Sequence, residues 1–515
     1  MPLVFLPEGT HDAGMQTIPP LRSDLVIRED DSRPDVPFVL EDRGLSRRIR
    51  LDEIGALVAE HLDRAQSVQD LADRLGTEAS NLQRPLAFFA AYHLLDTPDT
   101  RQMVKEAASS AKIQQMDAKT VPLLIRDDAR FTCTMCGSCC GGTNIGPVSR
   151  SVMEGLKPHL QTLEKKMKAA SGLFFTVPGG SSGETHTLCR QKGGSCVFLE
   201  ADNKCAIHAD YGAASKPDDC RLFPWMFTAT PEGIAVSIQM ECRGFPEARK
   251  GKRLIDQEAE IREMLALAQT RTELPPILTV TGHLSMTYQA YSLMEKDLHK
   301  AVDQHTGDPI AAFIAMRDII FQVTDLESDN SVSRIEGLKN LLTRTMTALR
   351  IKTDEIQSNL VSNDPQLELH TETLTLVSLA LDTLLSDIER VFAPLERRAT
   401  RELFAEKVHN FLAQKELLTF GSLIDGYVYL VFQWLLSRAL AVGRAREMKR
   451  RLVTEQDLMD AMTVISLVWR TPEWQALLEG IQDPLTTLCM DQLDRIAEDL
   501  SFFASEDTKT HIFKF

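Results

Sequence analysis

No part of this 515-residue sequence is apolar for long enough to cross a bilayer. The longest apolar run lies near Tyr427–Leu436, where Gln433 interrupts it and Arg438 closes it, so it reads as a buried helix. The opening Met1-Pro-Leu-Val-Phe-Leu lacks the charged start and long apolar core of a secretion signal. The expectation is cytoplasmic residence, where thiols stay reduced and open to metals, and no membrane partner. Positive charge is also short. The 57 Lys and Arg face 73 Asp and Glu, a formal net charge of −16 at pH 7. That balance opposes general attraction to nucleic-acid phosphates, so no nucleic acid partner is expected. No G-x-G-x-x-G follows a strand and opens a helix, which disfavours a Rossmann methyltransferase or dehydrogenase. A Walker motif is missing too. The CxxxCxxC spacing of radical S-adenosylmethionine chemistry is not met, because two residues separate Cys133 from Cys136 and two separate Cys136 from Cys139.

Thiols are what the chain has in abundance, and they are concentrated. Nine of the ten cysteines fall between positions 133 and 242: Cys133, Cys136, Cys139, Cys140, Cys189, Cys196, Cys205, Cys220 and Cys242; only Cys489 lies elsewhere. A C-x2-C spacing lets two side chains reach one ion across a tight turn, and Gly137 permits the backbone twist. Adjacent thiols such as Cys139 and Cys140 are expected to point apart, serving two sites or leaving one free. A disulfide framework is the competing reading, but nine is an odd number and the chain is large. The nine cysteines are therefore the candidate metal ligands. All-thiolate ligation suits zinc or an iron–sulfur cluster and argues against magnesium or calcium. His186 and His208 stand at ligand-like spacing from Cys189 and Cys205, yet a lone histidine is more often a structural hydrogen-bonder. Asp218 and Asp219 beside Cys220 read equally well as acid/base groups or as a solvated turn. Between Arg130 and Lys250 the 14 Lys and Arg exceed the 11 Asp and Glu, a mild local excess that favours thiolates.

The length allows two to four domains, and the patterning suggests an α+β, multidomain chain. Residues 1–20 form an irregular arm. Asp24-Leu-Val-Ile-Arg, Pro37-Phe-Val-Leu and Ser46–Leu51 read as three short strands. Helices follow: one with Ile54, Leu57, Val58 and Leu62 as its apolar stripe, one capped by Ser67 and ended by Gly76, and one over Ala79–Leu95. Residues 99–129 form a linking helix and strand. A small cysteine-rich α/β metal domain spans 130–250. In it Gly179–Gly183 is expected as a Gly/Ser turn, Ser149 or Ser151 as a helix cap, and Lys204–His208 as one of several short strands. From 251 to 515 the reading is an all-α helical domain, with Asp308-Pro309 and Thr454 starting helices and Cys489 as a core thiol.

Three strands followed by three helices make a winged-helix-like unit. Its phrases "LRSDLVIRED", "RIRLDEIGALVAEHLD" and "SVQDLADRLG" resemble the PqqD-like peptide-recognition domains over residues 21–98. That resemblance implies binding of an extended peptide at a sheet edge. DNA recognition is the rival, but Ala79–Leu95 offers mainly Asn81, Gln83 and Arg84 to base edges. Further on, "FTCTMCGSCC", "SCVFLEADNKCAIH" and "KPDDCRLFPW" match in order and spacing the YkgJ-type cysteine-cluster family, with its CxxCxxCC signature of zinc or iron chelation. The cluster is also similar to that of the flagellin lysine N-methylases, where it precedes a helical region. The resemblance implies methyl transfer from S-adenosylmethionine to lysine of a protein or peptide substrate. A non-enzymatic, zinc-stabilised adaptor or a peptide-binding maturation factor is the alternative. Catalytic and cofactor-binding residues, and the choice between zinc and iron, stay open at this level.

Overall fold

The computed structural model describes residues 17–30, 32–141, 147–169, 171–178, 185–192, 195–239, 241–268, 271–282, 284–323, 343–344, 347–355, 358, 365–469, 482–491 and 493. Most of the 1–20 arm and the Gly179–Gly183 turn lie outside them.

The chain begins with an antiparallel sheet, β1 (Leu25–Glu29), β2 (Phe38–Asp42) and β3 (Arg47–Leu51), in the order β1-β2-β3. Helices α1 (Glu53–Leu62), α2 (Val68–Leu75) and α3 (Gln83–Ala91) follow. Asp52 caps α1 by accepting the Gly55 N–H at 2.6 Å, and Ser67 caps α2. Gly76 ends α2 in the left-handed conformation. Leu40, Leu51, Val58, Leu62, Leu71 and Phe89 make a core of their own. The unit is closed by chain entry and exit. Arg22 N–H donates to the Leu94 carbonyl at 3.0 Å and Asp96 N–H to that of Pro20 at 2.7 Å. Below that closure the buried Asp42 carboxylate accepts from Arg22 at 2.5 Å and Arg47 at 2.8 Å. The stripe expected on α1 is only half right: Val58 and Leu62 are buried, but Ile54 and Leu57 are 63% and 47% exposed.

Helix α4 (Pro98–Gln115) starts with a Thr97–Thr100 capping box and leads to Leu123–Leu124. That short strand pairs parallel with Gly233–Ile238, which pairs antiparallel with Trp225–Thr230 across the expected Pro231-Glu-Gly turn. Thr272–Glu273 adds on the far side in parallel. Segments far apart in sequence thus build one four-stranded sheet. Its buried residues Trp225, Phe227, Ile234 and Val236 share the largest core with the C-terminal helices.

The C-terminal region is helical, with an exception to the all-α expectation. Thr272–Glu273, Leu278–Thr281 and Leu284–Met286 are strands, the middle one rich in β-branched residues. The helix Leu423–Glu447 runs through the core, buried over most of its length, and packs on Pro365–Ser386 and Glu455–Trp469. Asp308 caps Pro309–Phe321, accepting from the N–H of Ile310 and Ala311, and Thr454 accepts the Asp457 N–H. Cys489 is fully buried. No helix among the described residues is long and apolar enough to cross a membrane.

Candidate metal centre

The cysteine-rich loop leaves the main core along a short seam. Phe131 N–H donates to the Lys252 carbonyl at 3.0 Å and Thr132 N–H to that of Ala248 at 2.9 Å. Beyond this anchor the chain turns sharply: Met135 and Gly137 have positive φ, 51° and 75°. The Met135 N–H donates to the Cys133 Sγ at 3.4 Å, the contact a tight C-x2-C turn makes. At Gly137 a Cβ would stand 3.1 Å from the Asn203 Cβ and 3.2 Å from the Leu199 Cδ1, so glycine serves both the backbone twist and the packing. Ser138–Cys140 then forms a single 3-10 turn.

All ten cysteines are free thiols, and the nine central ones fall into two neighbourhoods. The first holds Cys139, Cys140, Cys189, Cys196, Cys205 and Cys220, which act on one another electrostatically. Adjacent on the 3-10 turn, the Cys139 and Cys140 thiols lie near enough to act on one another. Cys189, at the end of strand Thr185–Cys189, and Cys196, in strand Ser195–Cys196, do the same. In each pair one thiol holds charge at the other's expense. A hydrogen bond from Cys140 brings Cys139 down to about 6, with help from Lys216. Cys140 and Cys189 are pushed well up by such bonds, by burial and by neighbouring thiols. Burial raises Cys220 to about 12, opposed by Lys216. Cys205 does not lie in a strand, as expected, but heads the helix Ala206–Tyr211. Its thiol is raised by burial while the His208 and Ile207 amides support its charged form, as helix N-termini do. Beneath these thiols lies a small separate core of Val148, Leu156, Leu163, Val197, Phe198 and Ile207.

The second neighbourhood holds Cys133, Cys136 and Cys242. Cys242 packs in the main core rather than the small one, and burial raises its thiol to about 12. Cys136 and Cys133 add to that rise, while Lys407 and the Gly244 amide oppose it. Gly244 touches the other side as well: a Cβ there would lie 2.9 Å from the Cys136 Sγ. Lys407 arrives from the helix Arg398–Ala413, only 1% exposed, with its Nζ 4.7 Å from the centre of the Phe245 ring. Burial pulls it down to about 8 against the pull of Cys242, Glu241 and Glu416. Neither Lys407 nor Lys216 stood out in the sequence. A lysine inside a helical apolar pattern was the available signal for the first, and none marked the second.

Among the described residues, no three His, Cys, Asp or Glu side chains stand closely enough around one point to hold an ion as they are. The donor chemistry nonetheless fits a soft or borderline metal, with thiols only, free and gathered in two places. Ligation requires rotation of thiols, a freedom that the exposed Cys133, Cys136 and Cys139 have. His208 is exposed, and His186 pairs opposite Val177 in a hairpin. Asp218 and Asp219 open the short helix Asp218–Leu222 instead of forming a turn, and burial together with Asp218 raises Asp219. Two concave places lie away from the thiols. One of about 380 Å³ sits between Arg43, Met103, Glu106 and Tyr288. The other, of about 540 Å³, runs beside β1 and α1.

No curated protein and no solved structure matches the chain. Residues 132–245 match the CxxCxxCC family, described as "Putative zinc- or iron-chelating domain", so the segment that carries all nine of these thiols is similar to a chelating cysteine-cluster domain.

Proposed function

We propose that the protein is a metal- or iron–sulfur-binding cysteine-cluster protein that modifies a partner protein, transferring a methyl group from S-adenosylmethionine to a lysine. The observation that carries the metal-binding part is the gathering of nine free thiols within the segment that matches the chelating family. Among the described residues β1 is an edge strand. Beside it the 540 Å³ groove is walled by Leu25, Ile27, Phe38 and Leu57. An extended peptide pairing with that edge gains main-chain hydrogen bonds and sets alternate side chains against the apolar wall. Support for the reaction itself comes from the resemblance to the flagellin lysine N-methylases, which carry a similar cysteine cluster ahead of a helical region. In that reaction the lone pair of a neutral lysine amine forms the N–CH3 bond, the sulfonium S–CH3 bond breaks, and the amine then releases a proton to water.

The test begins with anaerobically purified full-length protein and measures zinc, iron and acid-labile sulfide. The loaded protein is then incubated with methyl-labelled S-adenosylmethionine and proteins encoded beside it, and mass spectrometry is used to find added methyl groups. Metal with methylated lysine is the expected result. Metal without turnover or cofactor binding leaves the zinc-stabilised adaptor as the reading. Metal-free protein overturns both.

A further inference from the structure

We infer that the nine thiols serve two separate centres, and that Cys133, Cys136 and Cys242 form a three-thiol site of their own for a zinc or ferrous ion at the seam with the helical region. The inference rests on the metal-binding reading above and specifies how the metal is divided. Three geometric observations carry it. Gly244 is the shared wall of this site, placed so that a Cβ would lie 2.9 Å from the Cys136 Sγ while its N–H supports the Cys242 thiol. The segment bearing Cys133 and Cys136 is hydrogen-bonded to the segment that follows Cys242, through Phe131 with Lys252 and Thr132 with Ala248. Of the other six thiols, Cys189 and Cys196 lie in the small core and Cys140 and Cys205 pack against it, while Cys139 and Cys220 are close enough to act on these four; Cys242 lies in the main core.

Charge fits the same division. A divalent ion with three thiolates carries one net negative charge, which is costly to hold at a partly buried seam without a counter-ion. Lys407 supplies a positive group there from the helical region. Lys216 acts on Cys139, Cys205 and Cys220 in the other group. Three thiolates leave one position of a tetrahedral ion vacant. Cys133 and Cys136 are exposed, so water could reach an ion held there and supply a neutral fourth donor. The six-thiol group has enough donors for a complete four-ligand centre, or for two ions that share thiolates.

The test compares wild type, Cys133→Ser and Cys139→Ser as full-length, metal-loaded protein. Both substitutions are at exposed positions, so neither removes a packed core side chain, and circular dichroism of each variant checks that it is folded. Metal is counted directly, and thiol protection is mapped by iodoacetamide alkylation with mass spectrometry. Cys133→Ser should lose about one equivalent of metal and open Cys136 but none of the six-thiol group to alkylation, with Cys242 still shielded by the main core. Cys139→Ser should open thiols of the six-membered group and leave Cys133, Cys136 and Cys242 protected. The division is overturned if either substitution opens thiols of both groups, or if Cys133 and Cys136 are already unprotected in loaded wild type. Wild-type protein without metal defeats the metal-binding reading itself, a different result from loaded protein whose groups fail to separate.

Discussion

Gly244 lies against Cys136 so closely that a methyl group on it would meet the Cys136 Sγ at 2.9 Å. The contact is between segments that hold one candidate centre together, so Gly244→Ala tests it with a single carbon. The exposed Cys136 thiol must swing aside to admit it, away from the place in which it would hold an ion. The expected outcome is lower stability in urea and faster metal loss to a competing chelator, with the six thiols around Cys196 still protected. An alanine variant that matches wild type in both measurements would show that the two segments do not need this approach.

Deeper in the helical region, Lys415 Nζ lies 2.6 Å from each carboxylate oxygen of Glu295, and both side chains are buried. Removing one charge leaves the other stranded, which typically costs about 3–5 kcal/mol, whereas removing both is far milder. Glu295→Gln should therefore destabilise strongly, and adding Lys415→Met should recover part of the loss. Unfolding in urea across the double-mutant cycle measures the coupling. Independent, additive effects would mean that the pair is not coupled as the geometry requires.

His409 sets an acid limit. Its Nδ1 lies 2.7 Å from that of His299, and its Nε2 lies 2.9 Å from Asp303. Burial, then Arg126 and His299, lower its pKa from 6.5 to about 4, with Asp303 opposing. Between those values the unfolded chain binds a proton that folded His409 does not, so stability falls as pH drops from about 6.5 to about 4. Thermal melts over that range should fall less steeply for His409→Gln than for wild type. Equal slopes would remove His409 from the acid response.

What sequence reading recovered depended on how local the signal was. Ser67, Gly76, Asp308 and Thr454 act within one helical turn, and each stands where its cap chemistry placed it. The three N-terminal strands are bounded by turn residues and are found as read. Lys204–His208 reads as one of several short strands, but a helical turn starting at Cys205 buries Ala206 and Ile207 in the small core. Gathering of the cysteines followed from their density. Their separation into six and three did not, because it depends on where the hairpins and turns carry each thiol and on Lys407 from a distant helix. Periodicity also has no means of saying that a stripe is too wide for its core, which is the case at Ile54 and Leu57.

Those two side chains provide the remaining prediction. Val58 and Leu62 already attach α1 to the core, and Asp52 caps it, so Ile54 and Leu57 are not needed to hold the helix. Leu57→Glu should then change stability by no more than about 0.5 kcal/mol, as surface substitutions usually do. The same change places a carboxylate in the wall of the groove beside β1, where an apolar peptide side chain would have to lose water against it. Binding of a partner-derived peptide to the full-length protein, followed by calorimetry, should weaken at least tenfold, which is about 1.4 kcal/mol. A charge reversal at Arg84, on α3 away from the groove, should leave it unchanged. If Leu57→Glu binds the peptide as wild type does while the Arg84 variant does not, recognition belongs to α3, and the sheet edge is not the docking site.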